Sequence, residues 1–268
     1  MMNVILDNLL DANLKNNLFL LIKDCMSIAL KIVDIQESKK KDGTIITKAD
    51  KDIHSLITKR LSELYPNIPV ISEEGKFDKN SFSQNIYWLI DPIDGTSSFA
   101  KGYDGYTVNI ALIKNGFPQL GIVGNPPTNT IWYGEKNEAV VNIKGIEKKI
   151  AVKKFTKDNL EIVISKNYDS VTKSFVDKIA NANIKYYSSS IKFCKLAEGK
   201  ADFYPRLHSI SKWDIGAGDA ILRAAGGTIL NEDGKELLYN TSGKNTGIFF
   251  ALSSKKIWKD LIRIKLKI

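Results

Sequence analysis

One stretch limits the fold of this chain more than any other. Tyr87, Trp88, Leu89 and Ile90 run directly into Asp91-Pro92-Ile93-Asp94-Gly95. Four large apolar side chains in a row predict a strand buried on both faces. That strand ends on two carboxylates three positions apart, and buried carboxylates need a positive partner. Pro92 fixes the backbone between them and removes an N–H. Gly95 permits a sharp turn and a close approach to a ligand. Thr96, Ser97 and Ser98 can open a helix whose first N–H groups face an anion. The stretch reads as a metal cluster facing a phosphate; the plain alternative is a tight Asp-Pro turn at a strand end.

The rest of the chain says which metal. It holds only two histidines, His54 and His208, and two cysteines, Cys25 and Cys194. Neither a disulfide framework nor a zinc-ligand spacing can be built from these, so the ligands are oxygens and the ion is Mg²⁺ or Mn²⁺. So few cysteines fit a reducing cytoplasm. A net charge of +9 favours anionic partners. The lysines are scattered, with no Arg-rich arm, which argues for a small phosphorylated substrate and against nucleic acid. No apolar run is long enough for an integral membrane segment.

Apolar residues at helical spacing predict a long helix over Leu14–Ile35. Attachment of that helix to a membrane surface is the lesser alternative, since its polar face mixes acids with lysines. Lys39–Lys41 reads as a solvated loop and Asp42-Gly43 as a turn. Thr47 caps a second helix, with Asp50 completing a capping box; Asp50 becomes chemical only if this helix end faces Asp91. Pro69–Ile71 reads as a strand that delivers Glu73 and Glu74 from its end. Runs at 106–113 and 119–123 flank Asn115-Gly116, a hairpin signal. Runs at 130–133, 139–143 and 150–152 extend this into an antiparallel meander.

Beyond about residue 160 strands alternate with helices: strand 161–165, helix 170–180, strand 184–187, helix 191–197, strand 202–205. The boundary falls in the polar 153–159 stretch. The chain therefore reads as an α+β half, 1–155, carrying most of the acids, and an α/β half, 156–268, carrying Asp214 and a Ser188–Lys195 loop. Lys192 of that loop and nearby Arg206 suit a phosphorylated ligand. Asp214 opens a helix rich in small residues, where N-capping is the plain reading, and Trp213 beside it would exclude water. A carboxylate there could complete a site at the seam between the halves. Strands at 228–230 and 248–252 and a basic helix at 255–266 close the chain.

Ser72-Glu73-Glu74, Asp91-Pro92-Ile93-Asp94-Gly95-Thr96 and Trp213 to Gly227 occur in the order found in the inositol monophosphatase-like superfamily of metal-dependent phosphatases, which this chain resembles. Thr107–Ile113 and Ile191–Arg206 are most similar to its bacterial 3′(2′),5′-bisphosphate nucleotidases. The resemblance implies an αβαβα layered sandwich and two or three Mg²⁺ per site. It implies metal ligation by Glu73, Asp91, Asp94, Asp214 and the Ile93 carbonyl, with Asp50 and Thr96 activating water. It also implies lithium inhibition and a homodimer. Gly95, Thr96, Ser189, Lys192 and Arg206 are the expected substrate contacts. The expected activity is hydrolysis of the 3′-phosphate of adenosine 3′,5′-bisphosphate. The alternatives are an inositol or sugar monophosphatase and a non-catalytic phosphonucleotide binder. Ser97-Ser98 stand where the subgroup has Lys-Glu, Ser188–Ser190 where it has Gly-Ser-Ser, and 207–212 also departs from its form.

Overall fold

The computed structural model describes residues 12–31, 37–39, 45–78, 80–156, 158–166, 168–179 and 182–262. The first half begins with α1 (Ala12–Lys31), β1 (Glu37–Lys39), β2 (Ile45–Thr47), α2 (Lys48–Leu64) and β3 (Val70–Ser72). There follow β4 (Ile86–Asp94), α3 (Thr96–Ala100), β5 (Thr107–Lys114), β6 (Phe117–Asn125), β7 (Thr130–Glu135), β8 (Glu138–Ile143) and β9 (Ile146–Ile150). The second half comprises β10 (Leu160–Ile164), α4 (Ser170–Val176), β11 (Ala182–Tyr186), α5 (Ile191–Ala197) and β12 (Phe203–Arg206). It closes with α6 (Trp213–Ala224), β13 (Thr228–Asn231), β14 (Phe249–Leu252) and α7 (Lys255–Ile257).

Strands β3 to β9 form one seven-stranded sheet in chain order. Only the β3–β4 pair is parallel. The second sheet has the order β11-β10-β12-β14-β13. Its first three strands are mutually parallel, and β14 runs antiparallel to β12 and β13. One apolar cluster joins α1 and α2 to the outer face of the first sheet through Ile22, Ile57, Ile90 and Ile110. A second fills the space between the sheets, where α5 and α6 lie. A third covers the outer face of the second sheet, with Phe175 and Trp258 over Phe203 and Phe250. The result is the five-layer αβαβα sandwich. Helices on both sides of β4 explain its unbroken burial from Tyr87 to Ile93, and hence an apolar run without alternation.

Helix α6 is held unusually close to the first sheet. A Cβ on Gly121 of β6 would lie 2.2 Å from the Ala217 carbonyl oxygen, and one on Gly134 of β7 would lie 2.6 Å from the Ile221 Cα. These are backbone atoms of a buried helix and cannot swing aside. Gly121→Ala is therefore expected to cost about 3 kcal/mol through overpacking. That loss lowers the melting temperature by roughly 6–12 °C for a chain of this size. A calorimetric melt unchanged by this substitution would mean that α6 and β6 are not in contact.

Several elements differ from the sequence expectation. Glu37–Lys39 pairs with Ile45–Thr47 as a small antiparallel sheet not expected from the sequence; of the Lys39–Lys41 stretch read as a loop, only Lys39 lies within the described residues, and it is in this strand. The helix expected over 170–180 stops at Val176, where the N–H groups of Lys178 and Ile179 turn to i→i−3 bonds with the Phe175 and Val176 carbonyls. The expected final helix is a single turn followed by a π-helical segment, Trp258–Ile262. The Asp42-Gly43 turn and the two ends at Ile35 and Leu266 lie outside the described residues. Asn115 and Gly116 form the expected hairpin, both with positive φ (52° and 77°).

Candidate metal centre

Strands β3 and β4 run parallel with Ser72 level with Ile90, so Glu73, the residue after β3, comes level with Asp91 near the carboxyl end of β4. Register places Asp91 opposite Asn109, and the ladder is then broken by a bulge between Asp91 and Asp94. Such a break re-aims a side chain. The N-terminus of α6 brings Asp214 from the other half of the chain. Glu73, Asp91 and Asp214 each place a carboxylate oxygen within 4.8 Å of the others.

Asp91 is 1% exposed. Neither of its oxygens has a hydrogen-bond partner. Burial, and then the charges of Glu73, Asp94 and Asp214, push its carboxyl well above the ordinary range. Asp214 is pushed well up by burial and by Asp94 and Glu73. Asp94 is raised by burial against the opposing pull of Lys192 and Asn109. A buried carboxylate with both oxygens orphaned beside two more acids is what a hard divalent cation would satisfy. The donor set contains no nitrogen or sulfur, so these residues fit Mg²⁺ or Mn²⁺.

The capping reading of Asp50 and its chemical reading both hold geometrically. Its Oδ2 accepts from the Thr47 N–H at 2.8 Å, completing the capping box on α2. Its Oδ1 lies 3.4 Å from the Thr96 hydroxyl, which is also 3.0 Å from the Ile93 carbonyl. The helix end thus faces the cluster. Burial raises the Asp50 carboxyl despite the bonds from Thr47. Gly95 sits at φ 90°, and a Cβ there would come 2.4 Å from the Ser189 hydroxyl oxygen. The helix that follows, α3, has five residues, so its dipole is small.

The expected substrate contacts all line one cleft of about 1170 Å³ between the two sheets, except Thr96, which sits behind it beside Asp50. Ser189 is structural in its hydroxyl. It lies 2.9 Å from both the Asp94 and Gly105 carbonyls, bracing the metal loop. Lys192 is buried and donates to the Ser189 carbonyl at 2.8 Å. Its ammonium stands 5.2 Å from the Tyr204 ring centroid, and burial pushes it down to about 8. Arg206, at the end of β12, keeps a buried Nε without a partner.

Three supporting residues escaped sequence reasoning. The Asn109 amide donates to Asp94 at 3.4 Å and to the Ser190 hydroxyl at 3.0 Å, and Ser190 donates to the Asp214 carbonyl at 2.9 Å. This relay ties acids from the two halves together. His54 Nδ1 lies 2.8 Å from the Ser72 hydroxyl and so holds the end of β3 next to Glu73. The signal available for Asn109 was a lone amide inside the apolar run Thr107–Ile113.

The description "Inositol monophosphatase family" matches residues 9–260 of the chain. The 3′(2′),5′-bisphosphate nucleotidase CysQ of Buchnera aphidicola subsp. Acyrthosiphon pisum is 39% identical over 222 residues, covering 80% of this chain and 83% of that one. CysQ of Escherichia coli K12 is 36% identical over 202 residues, covering 75% and 81%. Among solved structures, CysQ from Bacteroides thetaiotaomicron superposes with a TM-score of 0.74 at 29% identity, over 85% of this chain and 92% of that one. Thermotoga maritima IMPase gives 0.74 at 24% identity, over 92% and 94%, a likeness of fold alone.

Proposed function

The chain belongs to the inositol monophosphatase family, and from that premise we propose a metal-dependent 3′(2′),5′-bisphosphate nucleotidase that converts adenosine 3′,5′-bisphosphate to AMP and phosphate. It is a phosphoric monoester hydrolase whose relatives at 36–39% identity carry the nucleotidase name. The observation that carries the reading is Asp91, buried with two unpartnered oxygens beside Glu73 and Asp214.

In this reading Glu73, Asp91, Asp94, Asp214 and the Ile93 carbonyl would hold Mg²⁺, two or three ions per site. When bound, such cations supply the positive charge that a dianionic phosphate and its leaving oxygen require, and they make water a better nucleophile. The chain's own residues do the rest. Thr96 donates its proton to Asp50 and accepts from the attacking water through its lone pair. Asp50, whose carboxyl burial raises above its ordinary value, takes the proton that this water loses. Lys192 and Arg206 add positive charge to the cleft wall beside Asp94 and Asp214, and Gly95 lets the backbone approach the phosphate. No side-chain nucleophile is needed, in keeping with two cysteines that are both buried and unpaired.

The same kinship leads us to infer a homodimer in the cytoplasm, with the two halves meeting at 155/156; a light-scattering mass of one chain would refute the dimer. Among the described residues no helix is long and apolar enough to cross a membrane.

The test is phosphate release with Mg²⁺ from adenosine 3′,5′-bisphosphate, inositol 1-phosphate and fructose 1,6-bisphosphate at equal concentration. A preference of tenfold or more for the nucleotide is expected, about 1.4 kcal/mol of transition-state discrimination. Preference for the inositol ester would make this an inositol monophosphatase. No release from any of them with Mg²⁺ bound would make it a binding protein.

A further inference from the structure

The cleft continues well beyond the acids, and its far wall holds a second constructed feature. Register runs from Asp91 to Asn109, from Asn109 to Val123 and from Val123 to Trp132. Trp132 therefore lies three strand spacings from Asp91, about 14 Å across the sheet. Helix α5 crosses the same interval. It carries Lys192 beside Asp94 and, one turn later on the same face, Lys195.

Lys195 is not a loose surface lysine. Its ammonium is 5.2 Å from the Trp132 ring centroid and 5.8 Å from that of Tyr187. It donates to Glu198 Oε1 at 2.8 Å, and the Trp132 indole N–H donates to the same oxygen at 2.9 Å. Lys200 pairs with the other Glu198 oxygen. The side chain of Lys195 is 17% exposed and that of Glu198 5%. Although burial raises the Glu198 carboxyl, the bonds from Lys195 and Lys200 more than offset it and hold it below its ordinary value. Two lysines against one glutamate leave a net positive charge. Trp132, Tyr187, Lys195, Glu198 and Lys200 all line the cleft. An ammonium spends one N–H on Glu198 and keeps two for a ligand. Because its rotamer is already fixed, it loses little entropy when it binds one.

We propose that Lys195 is a specificity-determining residue that binds the second phosphate of a nucleoside bisphosphate while the first lies at Asp91. The inference rests on the nucleotidase reading above. Its geometry places both groups in one cleft: the acids with Lys192 beside them at one end, and the caged Lys195 one helical turn further along α5. A 3′-monophosphate would occupy only the metal end, and AMP, which keeps only the 5′-phosphate, would keep only the Lys195 end.

The test compares the full chain with its Lys195→Met and Lys195→Arg variants. Phosphate release is measured with Mg²⁺ from adenosine 3′,5′-bisphosphate and from adenosine 3′-monophosphate. Binding of AMP is measured separately by calorimetry, which needs no turnover. For Lys195→Met, kcat/KM on the bisphosphate should fall tenfold or more, nearly all of it in KM. The monophosphate should change less than twofold, and AMP should bind about tenfold more weakly. Lys195→Arg should restore most of both. Equal losses on the two substrates, or none, would show that the cage is structural and overturn the inference while leaving the nucleotidase reading intact. If the unsubstituted protein releases nothing from the bisphosphate, that reading falls and calorimetry alone decides. AMP binding weakened by Lys195→Met then upholds the subsite, and unchanged or absent binding overturns it.

Discussion

Asparagine in place of Asp91 is expected to abolish turnover and yet make the metal-free protein more stable. The side chains are nearly the same shape, so packing is preserved. What changes is a carboxylate buried without a hydrogen bond and facing other acids. Removing that charge relieves desolvation and repulsion in the metal-free chain. With Mg²⁺ the order reverses, because the central ligand is gone. Phosphate release should drop by about 10³ or more, as for loss of a principal electrostatic element, and the thermal stabilisation by Mg²⁺ should disappear. The acid dependence follows with its sign. Asp91, Asp94 and Asp214 all have folded values raised above 3.8, so the folded metal-free chain holds protons that the unfolded chain releases. That stability is fully present below the ordinary carboxylate range and is lost as pH rises through the raised values. Metal-free melts should therefore fall with rising pH, and fall less for Asp91→Asn. A metal-free variant that melts below the parent would refute the orphaned-carboxylate account.

Asp50→Asn should separate chemistry from metal binding. An asparagine at this position still accepts from the Thr47 N–H, so the cap on α2 survives with a loss of about 1 kcal/mol at most. It cannot take a proton from water through Thr96. Phosphate release is expected to fall by about 10²–10⁴, the usual worth of a positioned base, with the calorimetric Mg²⁺ affinity within twofold of the parent. Activity within tenfold of the parent would assign Asp50 to capping alone.

The fold was legible where burial and chemistry coincide. The run from Tyr87 to Ile90 announced a strand covered on both faces, and Asn115-Gly116 announced its turn, because each has one physical solution. Asp91 and Asp94 could be grouped from the strand end itself and Asp214 named as a candidate at the seam, but the full set of 73, 91, 94 and 214 came together only through resemblance, since nothing local says that α6 meets β4. The strand Glu37–Lys39 was not anticipated because it is a short polar segment whose only support is its pairing with β2. Ser189 was read as a ligand contact from its hydroxyl. Its brace to the Asp94 and Gly105 carbonyls depends on a left-handed backbone (φ 53°) that no serine announces in sequence. The Asn109–Ser190–Asp214 relay and the Lys195 cage were invisible for the same reason: their partners are far apart in the chain.

That distance has a consequence for how the protein comes into being. Asp50, Glu73, Asp91 and Asp94 all precede β5, whereas Asp214 waits on α6, after β10 to β12 have been made. A chain emerging from its N-terminus holds four acids long before it has the wall that closes over them. Joining them requires a contact of high sequence separation, which is slow to form. The cation pocket is then the last room to be finished. Its occupancy would reward only molecules whose second sheet is already in place, so metal would act as a seal on completed folding as well as an instrument of catalysis.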